Sequence, residues 1–182
     1  SMIIDIGGGT TDVGVISLGG LVNSRNIRVA GDRFNADIVS HLRNEFKTLI
    51  GDKTAEEIKM AAAAVTRSRE PLSVIARGRD LVTGLPRELV ISEEDIRNAI
   101  GHSIDELVDS IKEVIETTPP EIVADIMQRG AHMAGGGAQI RGIPEFFARA
   151  LGVPVIVAND PLTAVVRGTA AVLDDIDLYR EA

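Results

Sequence analysis

The sequence Asp5-Ile6-Gly7-Gly8-Gly9-Thr10-Thr11-Asp12 places a carboxylate, three glycines, two hydroxyls and a second carboxylate at the end of the apolar run Met2–Ile6. Three glycines after a strand let the backbone turn sharply. They can aim successive N–H groups into one concave anion site. A carboxylate before the loop can hold Mg²⁺ or its waters, and hydroxyls after it can orient water or phosphate. The bland alternative is a glycine turn between two strands, capped by Asp5. The ordered set of Asp5, the triplet, Thr10, Thr11 and Asp12 favours phosphate binding.

A second triplet, Gly135-Gly136-Gly137, follows the apolar stretch Ala131–Ala134 and is expected to open a helix. It has no charge or hydroxyl beside it. It reads either as a close strand–helix packing turn or as a flat surface for a base or ribose. Neither triplet is a Walker loop, which ends in Gly-Lys-Ser/Thr, or a dinucleotide fingerprint, which needs GxGxxG spacing.

Composition narrows the chemistry. The 182 residues suit one ordinary domain or two small subdomains. Aromatics are only 3%, so the core must be aliphatic. The absence of Cys excludes disulfides, a thiol nucleophile and cysteine-ligated metals. His41, His102 and His132 are scattered, which argues against a histidine-rich metal site. A net charge of −8 with one Tyr and no Trp argues against nucleic-acid binding. No apolar run reaches the roughly 20 residues of a membrane span, and the start carries no signal peptide, so a cytoplasmic protein is expected. Ser1-Met2 leads straight into a core strand. Ser1 is therefore expected to be a tag remnant on a shortened chain whose natural form extends upstream.

The first thirty residues read as three short strands, Met2–Ile6, Asp12–Leu18 and Leu21–Val29, with a hairpin turn at Gly19-Gly20. Phe34, Ile38, Leu42 and Phe46 predict a helix continuing past Leu49 and Ile50 to Gly51. Thr54 and Glu57 predict a capping box for a second helix through the alanines 61–64. An arginine-rich stretch, 66–87, holds an expected strand near Ser73–Ala76, with a second at Glu88–Ile91. Ser92-Glu93-Glu94-Asp95 caps a long helix with an apolar stripe from Ile96 to Ile115 and acidic outer faces. Pro119-Pro120 opens a short helix to Gln128. A strand at Val153–Val157 and a helix at Thr163–Leu173 complete the expected elements.

With these residues placed, the chain resembles a known family. Asp5–Asp12 is similar to the second phosphate loop of the actin, heat-shock chaperone and sugar-kinase superfamily, and Gly135–Ala138 to its adenosine loop. The finer resemblance is to the MreB family of bacterial actins. It is carried by Ala55–Lys59, Arg77–Pro86, Thr118–Glu121 with Asp125–Gly130, and Asp160–Thr163. It spans Met2 to about Leu173 but covers one lobe of two. The first phosphate loop and the water-activating glutamate of the family belong to an upstream lobe.

The resemblance implies an α/β fold. A ribonuclease-H-like, actin-type ATPase subdomain would be built from residues 2–50 and 118–173. A smaller α+β subdomain, 51–117, would be inserted within it, and 174–182 would form a polar tail. It implies that Asp5 holds Mg²⁺ through water and that Gly7, Gly8 and Gly9 cradle the terminal phosphates of ATP. Thr10 and Thr11 would lie beside them, with Thr11 orienting the attacking water. Gly31 and Asp32 would line the ribose side, Glu56 and Lys59 would meet adenine and ribose, and Gly135, Gly136 and Gly137 would carry the adenosine. It also implies head-to-tail self-assembly into filaments and association at the membrane with wall-synthesis and membrane-anchored morphogenesis proteins. The intact protein would be an ATPase, and this lobe alone inactive. Two other readings are a lobe of a sugar-kinase-like phosphotransferase and an interaction module with vestigial nucleotide loops. No sugar-binding acid or aromatic platform supports the first. The intact run from Asp5 to Thr11 argues against the second.

Overall fold

A computed structural model describes residues 1–174 of the chain; the expected tail beyond Asp174 lies outside the described residues. Strand β1 (Met2–Ile6) buries Met2, Ile4 and Ile6 on one face and turns Ile3 and Asp5 to the other, the two-residue period of a strand. β2 (Thr11–Ser17) buries Thr11, Val13 and Val15 in the same way. β3 (Gly20–Ile27) returns antiparallel, with Ser17 opposite Gly20. The hairpin turn is therefore Leu18-Gly19, one residue earlier than the glycine pair suggests. Both residues have positive φ, 51° and 81°, as a primed two-residue turn requires.

β7 (Ala131–Ala134) and β8 (Val155–Val157) extend the sheet in parallel, giving the order β3-β2-β1-β7-β8. Three antiparallel strands followed by parallel ones make this a ribonuclease-H-like sheet, as expected. The carboxyl ends of β1 and β7 lie side by side, each running into a glycine triplet.

Helix α1 (Gly31–Glu45) buries Phe34, Ile38 and Leu42. It stops before Phe46 rather than running on to Ile50. Lys47 takes a left-handed φ of 52°, and Thr48–Leu49 form a short strand, β4. β4 pairs with β5 (Ser73–Asp80), which pairs with β6 (Pro86–Ser92), making a separate three-stranded sheet. Tertiary pairing thus overrides the apolar helical period at Leu49 and Ile50. Gly78 is required at this contact, because a Cβ there would stand 2.5 Å from the Leu49 carbonyl oxygen.

Helix α2 (Asp52–Ala62) starts after Gly51 with no side-chain cap. Thr54 is already the third helical residue, so the expected Thr54–Glu57 box does not form. By contrast, α3 (Glu93–Glu116) carries the expected capping box, with Asp95 N–H donating to Ser92 Oγ and Ser92 N–H to Asp95 Oδ2. Its apolar stripe lets it pack against α1, β3 and β6. Helices α4 (Pro120–Arg129), α5 (Ile143–Leu151) and α6 (Ala164–Asp174) complete the fold. The second triplet does not open a long helix directly. It opens one 3-10 turn, Gly136–Gln139, and α5 begins only at Ile143.

The chain segments after α2, before α3 and before α5 meet at one buried carboxylate. Glu93 is 2% exposed. Its Oε1 accepts from Ser68 N–H at 3.1 Å and Arg97 at 3.2 Å, and its Oε2 from Arg141 at 2.8 Å. Burial alone raises such a carboxyl, but the Ser68 hydrogen bonds and the Arg141 charge outweigh it and hold Glu93 below the usual range. The sign follows. A lowered folded-state pKa contributes stability above the unfolded value, and that stability is lost as pH falls through the folded one. Glu93→Ala should cost about 3 kcal/mol at neutral pH. The difference from the unchanged protein should shrink only below a pH of about 4.3. Urea unfolding across that range measures both.

Candidate functional site

The first triplet is shaped by what its carbonyls do. Gly7 N–H donates to the Thr10 carbonyl at 3.0 Å and closes the turn. The carbonyls of Gly7 and Gly8 accept from the N–H groups of Gly31 (3.1 Å) and Asp32 (2.7 Å), the first residues of α1. The loop therefore caps the helix, whose own N-cap Ala30 offers no side chain. The N–H groups of Gly8, Gly9 and Thr10 keep no hydrogen-bond partner among the described residues. They form a set of free backbone donors beside a helix N-terminus, which together suit an anion.

Asp5 stands opposite Asp12 in the β1–β2 ladder, on the face away from the core. Asp12 is held by Asn26 Nδ2 at 2.7 Å and by the Thr10 hydroxyl at 3.3 Å. Partial burial, then the Asp12 charge, raises the Asp5 carboxyl. Ligand-free, this carboxylate is disfavoured where it stands, and a cation beside it would relieve both effects. The described residues hold no cluster of three or more His, Cys, Asp or Glu side chains. One carboxylate with water completing the shell fits Mg²⁺, which keeps most of its waters.

Gly135 and Gly137 are glycines for packing reasons. At Gly135 φ is 81°, and a Cβ would stand 2.3 Å from the Ile6 carbonyl oxygen and 2.4 Å from Asp5 Oδ1. At Gly137 it would stand 2.2 Å from Ile6 Cγ2. The triplet packs tightly on the end of β1, as the packing reading expects, and it also lines the cleft.

Lys59 Nζ donates to Glu56 Oε2 at 2.7 Å and to the Gly31 carbonyl at 3.1 Å. The Lys59 side chain is 10% exposed and the Glu56 side chain 42%, so the ammonium is covered while the carboxylate still meets solvent. Burial raises Glu56, but hydrogen bonds from Lys59 and Asn35 prevail and hold it below the usual range. Gly31 lies in the first turn of α1 against Gly7, and Asp32 follows it with its carboxylate nearest Gly8 and Gly9.

One cleft of about 790 Å³ gathers Asp5, Gly7, Gly8, Gly31, Asp32, Glu56, Lys59 and the second triplet. Gly9, Thr10 and Thr11 are not on its lining. The Thr11 hydroxyl is fully buried under the sheet and donates to the Val29 carbonyl at 2.7 Å. The ladder explains this: Thr11 pairs with Ile6 and shares its core-facing side. The structure adds Arg141, Gln139 and an apolar strip of Met60, Leu72, Leu162 and Val165 to the walls. Only the tertiary fold brings these together, and of them only Leu162 sits in a stretch that the sequence singled out, Asp160–Thr163. The arrangement offers an amide donor, a carboxylate, an ammonium–carboxylate pair and apolar side chains around one cleft.

The two triplets should respond differently to one added methyl group. At Gly8 a Cβ meets nothing nearer than Asp32 Oδ1 at 3.9 Å, so Gly8→Ala should change stability by less than about 1 kcal/mol. Gly135→Ala should cost about 2–4 kcal/mol from backbone strain and overlap. Chemical denaturation of the two variants distinguishes them.

The cleft can now be set beside known proteins. A sequence model of the family described as MreB/Mbl protein matches residues 1–181. The cell shape-determining protein Mbl of Bacillus subtilis is 43% identical over 177 residues, covering 97% of this chain and 53% of Mbl. The cell shape-determining protein MreB of Escherichia coli is 40% identical over 179 residues, with 98% and 52% covered. The crystal structure of MreB5 of Spiroplasma citri bound to ADP superposes with a TM-score of 0.94 at 40% identity, covering 99% of this chain and 54% of that one. The same protein has also been solved bound to AMPPNP. The chain thus spans about half the length of the curated relatives it matches. Family match, identity and actin-like fold agree: the chain belongs to the MreB/Mbl family of cell shape-determining proteins.

Proposed function

We propose that this chain is the second nucleotide-binding lobe of an ATP-dependent, filament-forming actin-like protein that sets cell shape by organising wall synthesis. The observation that carries the reading is the one cleft that gathers Asp5, Gly7 and Gly8 with the Glu56–Lys59 pair, beside a loop whose Gly8, Gly9 and Thr10 amides are free. Solved relatives bound to ADP and to AMPPNP support it. In this reading the ribonuclease-H-like part is 2–50 with 118–173, and 51–117 is inserted.

The roles follow from the donors present. The amides of Gly8, Gly9 and Thr10 bind phosphate oxygens. Asp5 accepts hydrogen bonds from water on Mg²⁺, which when bound neutralises phosphate charge. Lys59 and Glu56 orient the ribose and base end, and the apolar strip with the second triplet receives the base. Thr11, the expected water-orienting hydroxyl, is engaged with Val29. Thr10, whose hydroxyl has only a 3.3 Å contact to Asp12, is better placed for that task. Helix α6 buries none of its described side chains and leaves Val165, Val166 and Leu173 exposed. Such apolar exposure suits cover by the other lobe. No described helix is long and apolar enough to cross a membrane; a cytoplasmic location with attachment at the membrane through partners is part of the same proposal.

The 182-residue chain should bind Mg-ATP weakly and release no phosphate above background, because each missing phosphate donor costs on the order of 10²–10³ in rate. Calorimetry giving a sub-micromolar affinity, or steady phosphate release, would contradict this. In the full-length protein, Asp5→Ala should lower Mg²⁺-dependent hydrolysis at least about 100-fold while leaving the melting temperature nearly unchanged.

For assembly, the outer face of the small sheet presents Ile75, Arg77 and Arg79 beside Glu88 and Val90, all exposed. We assign one end of the head-to-tail contact to it, a heterologous contact that does not close on itself. Arg79→Glu in the full-length protein should weaken polymerisation and alter its salt dependence, as sedimentation at two ionic strengths would show. The 182-residue chain should remain a monomer or weak dimer.

A further inference from the structure

Asn35, on the core side of α1, is 8% exposed. Its Oδ1 is the one buried side-chain polar atom without a hydrogen-bond partner among the described residues. Its Nδ2 donates to Glu56 Oε2 at 2.6 Å. The same oxygen accepts from Lys59, and Lys59 in turn holds the Gly31 carbonyl. Gly31 is the residue whose N–H grips the Gly7 carbonyl of the first loop. The contact with Glu56 fixes the amide's orientation, since the reverse would set two oxygens against each other.

A buried acceptor left unpaired lowers stability. A leucine would fill the same volume without that cost, so packing alone does not account for an asparagine here. Its one used atom reaches a carboxylate on the cleft wall. We infer that Asn35 is a positioning residue of the cleft: its amide donor holds Glu56, and through it Lys59, in the geometry that receives the ribose and base of a nucleotide. The inference rests on the nucleotide reading above. It requires the group at position 35 to be a donor.

Two variants of the 182-residue chain test this, with millimolar ADP and Mg²⁺ as the probe and saturation-transfer NMR as the affinity measurement. Asn35→Leu removes the donor and keeps the volume. It should melt within about 2 °C of the unchanged protein yet bind ADP about fivefold more weakly. Asn35→Ala removes the donor and the volume together. It should bind ADP about as weakly as Asn35→Leu, with a lower melting temperature from the space left behind. ADP binding by the unchanged chain that both variants match would overturn the inference and leave the nucleotide reading standing. Absence of ADP binding by the unchanged chain and both variants would remove the nucleotide reading, and this inference with it. If both variants fail to fold, Asn35 is structural and the inference falls.

Discussion

Two hydrogen bonds, from the N–H groups of Gly31 and Asp32 to the carbonyls of Gly7 and Gly8, set the rest of the site. A helix N-terminus has four unpaired donors, and a glycine loop has carbonyls that no strand partner takes up. Joining them satisfies both. It also decides which way the loop's remaining groups point: with the carbonyls committed to α1, the amides of Gly8, Gly9 and Thr10 are left free. The same contact brings Gly31 against Gly7 so closely that an added Cβ would stand 3.2–3.4 Å from Lys59 Nζ, the Gly7 carbonyl oxygen and Gly8 Cα. Lys59 then closes on the Gly31 carbonyl from α2. One loop–helix junction thus links the first loop to the Glu56–Lys59 pair.

A second constraint is steric. The end of β1 is covered by the second glycine triplet at distances that admit no Cβ at Gly135 or Gly137. This fixes the separation of the two loops, because both are anchored to Ile6 and its neighbours. The wall beyond is held by electrostatics, since Glu93 joins Arg141 to Ser68 and Arg97. Arg141 also bridges to the segment after α2, where Val65 N–H donates to its carbonyl at 2.9 Å. The cleft is therefore bounded by elements tied to the large sheet on one side and to the small sheet's surroundings on the other.

The charges divide by role. Glu93 is buried, fully hydrogen-bonded and held below its usual pKa, as a structural carboxylate should be. Asp5 is raised by burial and by Asp12, so its charge works against the ligand-free fold. That condition suits the cation-binding role proposed for Asp5.

The residues themselves determined the strand–triplet–strand opening, the apolar stripe and N-terminal cap of α3, and the Asp5–Gly9 loop; Gly31, Asp32, Glu56 and Lys59 joined them as expected cleft residues only through the family resemblance. Those features are local: a glycine run, a Ser92–Asp95 spacing and an alternating strand each fix their own geometry within a few residues. What only the tertiary structure decided was every feature set by partners far along the chain. Leu49 left its helical period because β5 offered a strand edge. The turn fell at Leu18-Gly19 because the register of β2 and β3 required it. The Thr11 hydroxyl went under the sheet because the ladder pairs it with Ile6. Asn35 met Glu56 because α1 packs on α2, and Arg141 joined the cleft from the segment before α5. Periodicity records which face of an element is apolar. It does not record which other element meets that face, and that meeting placed the polar groups of the site.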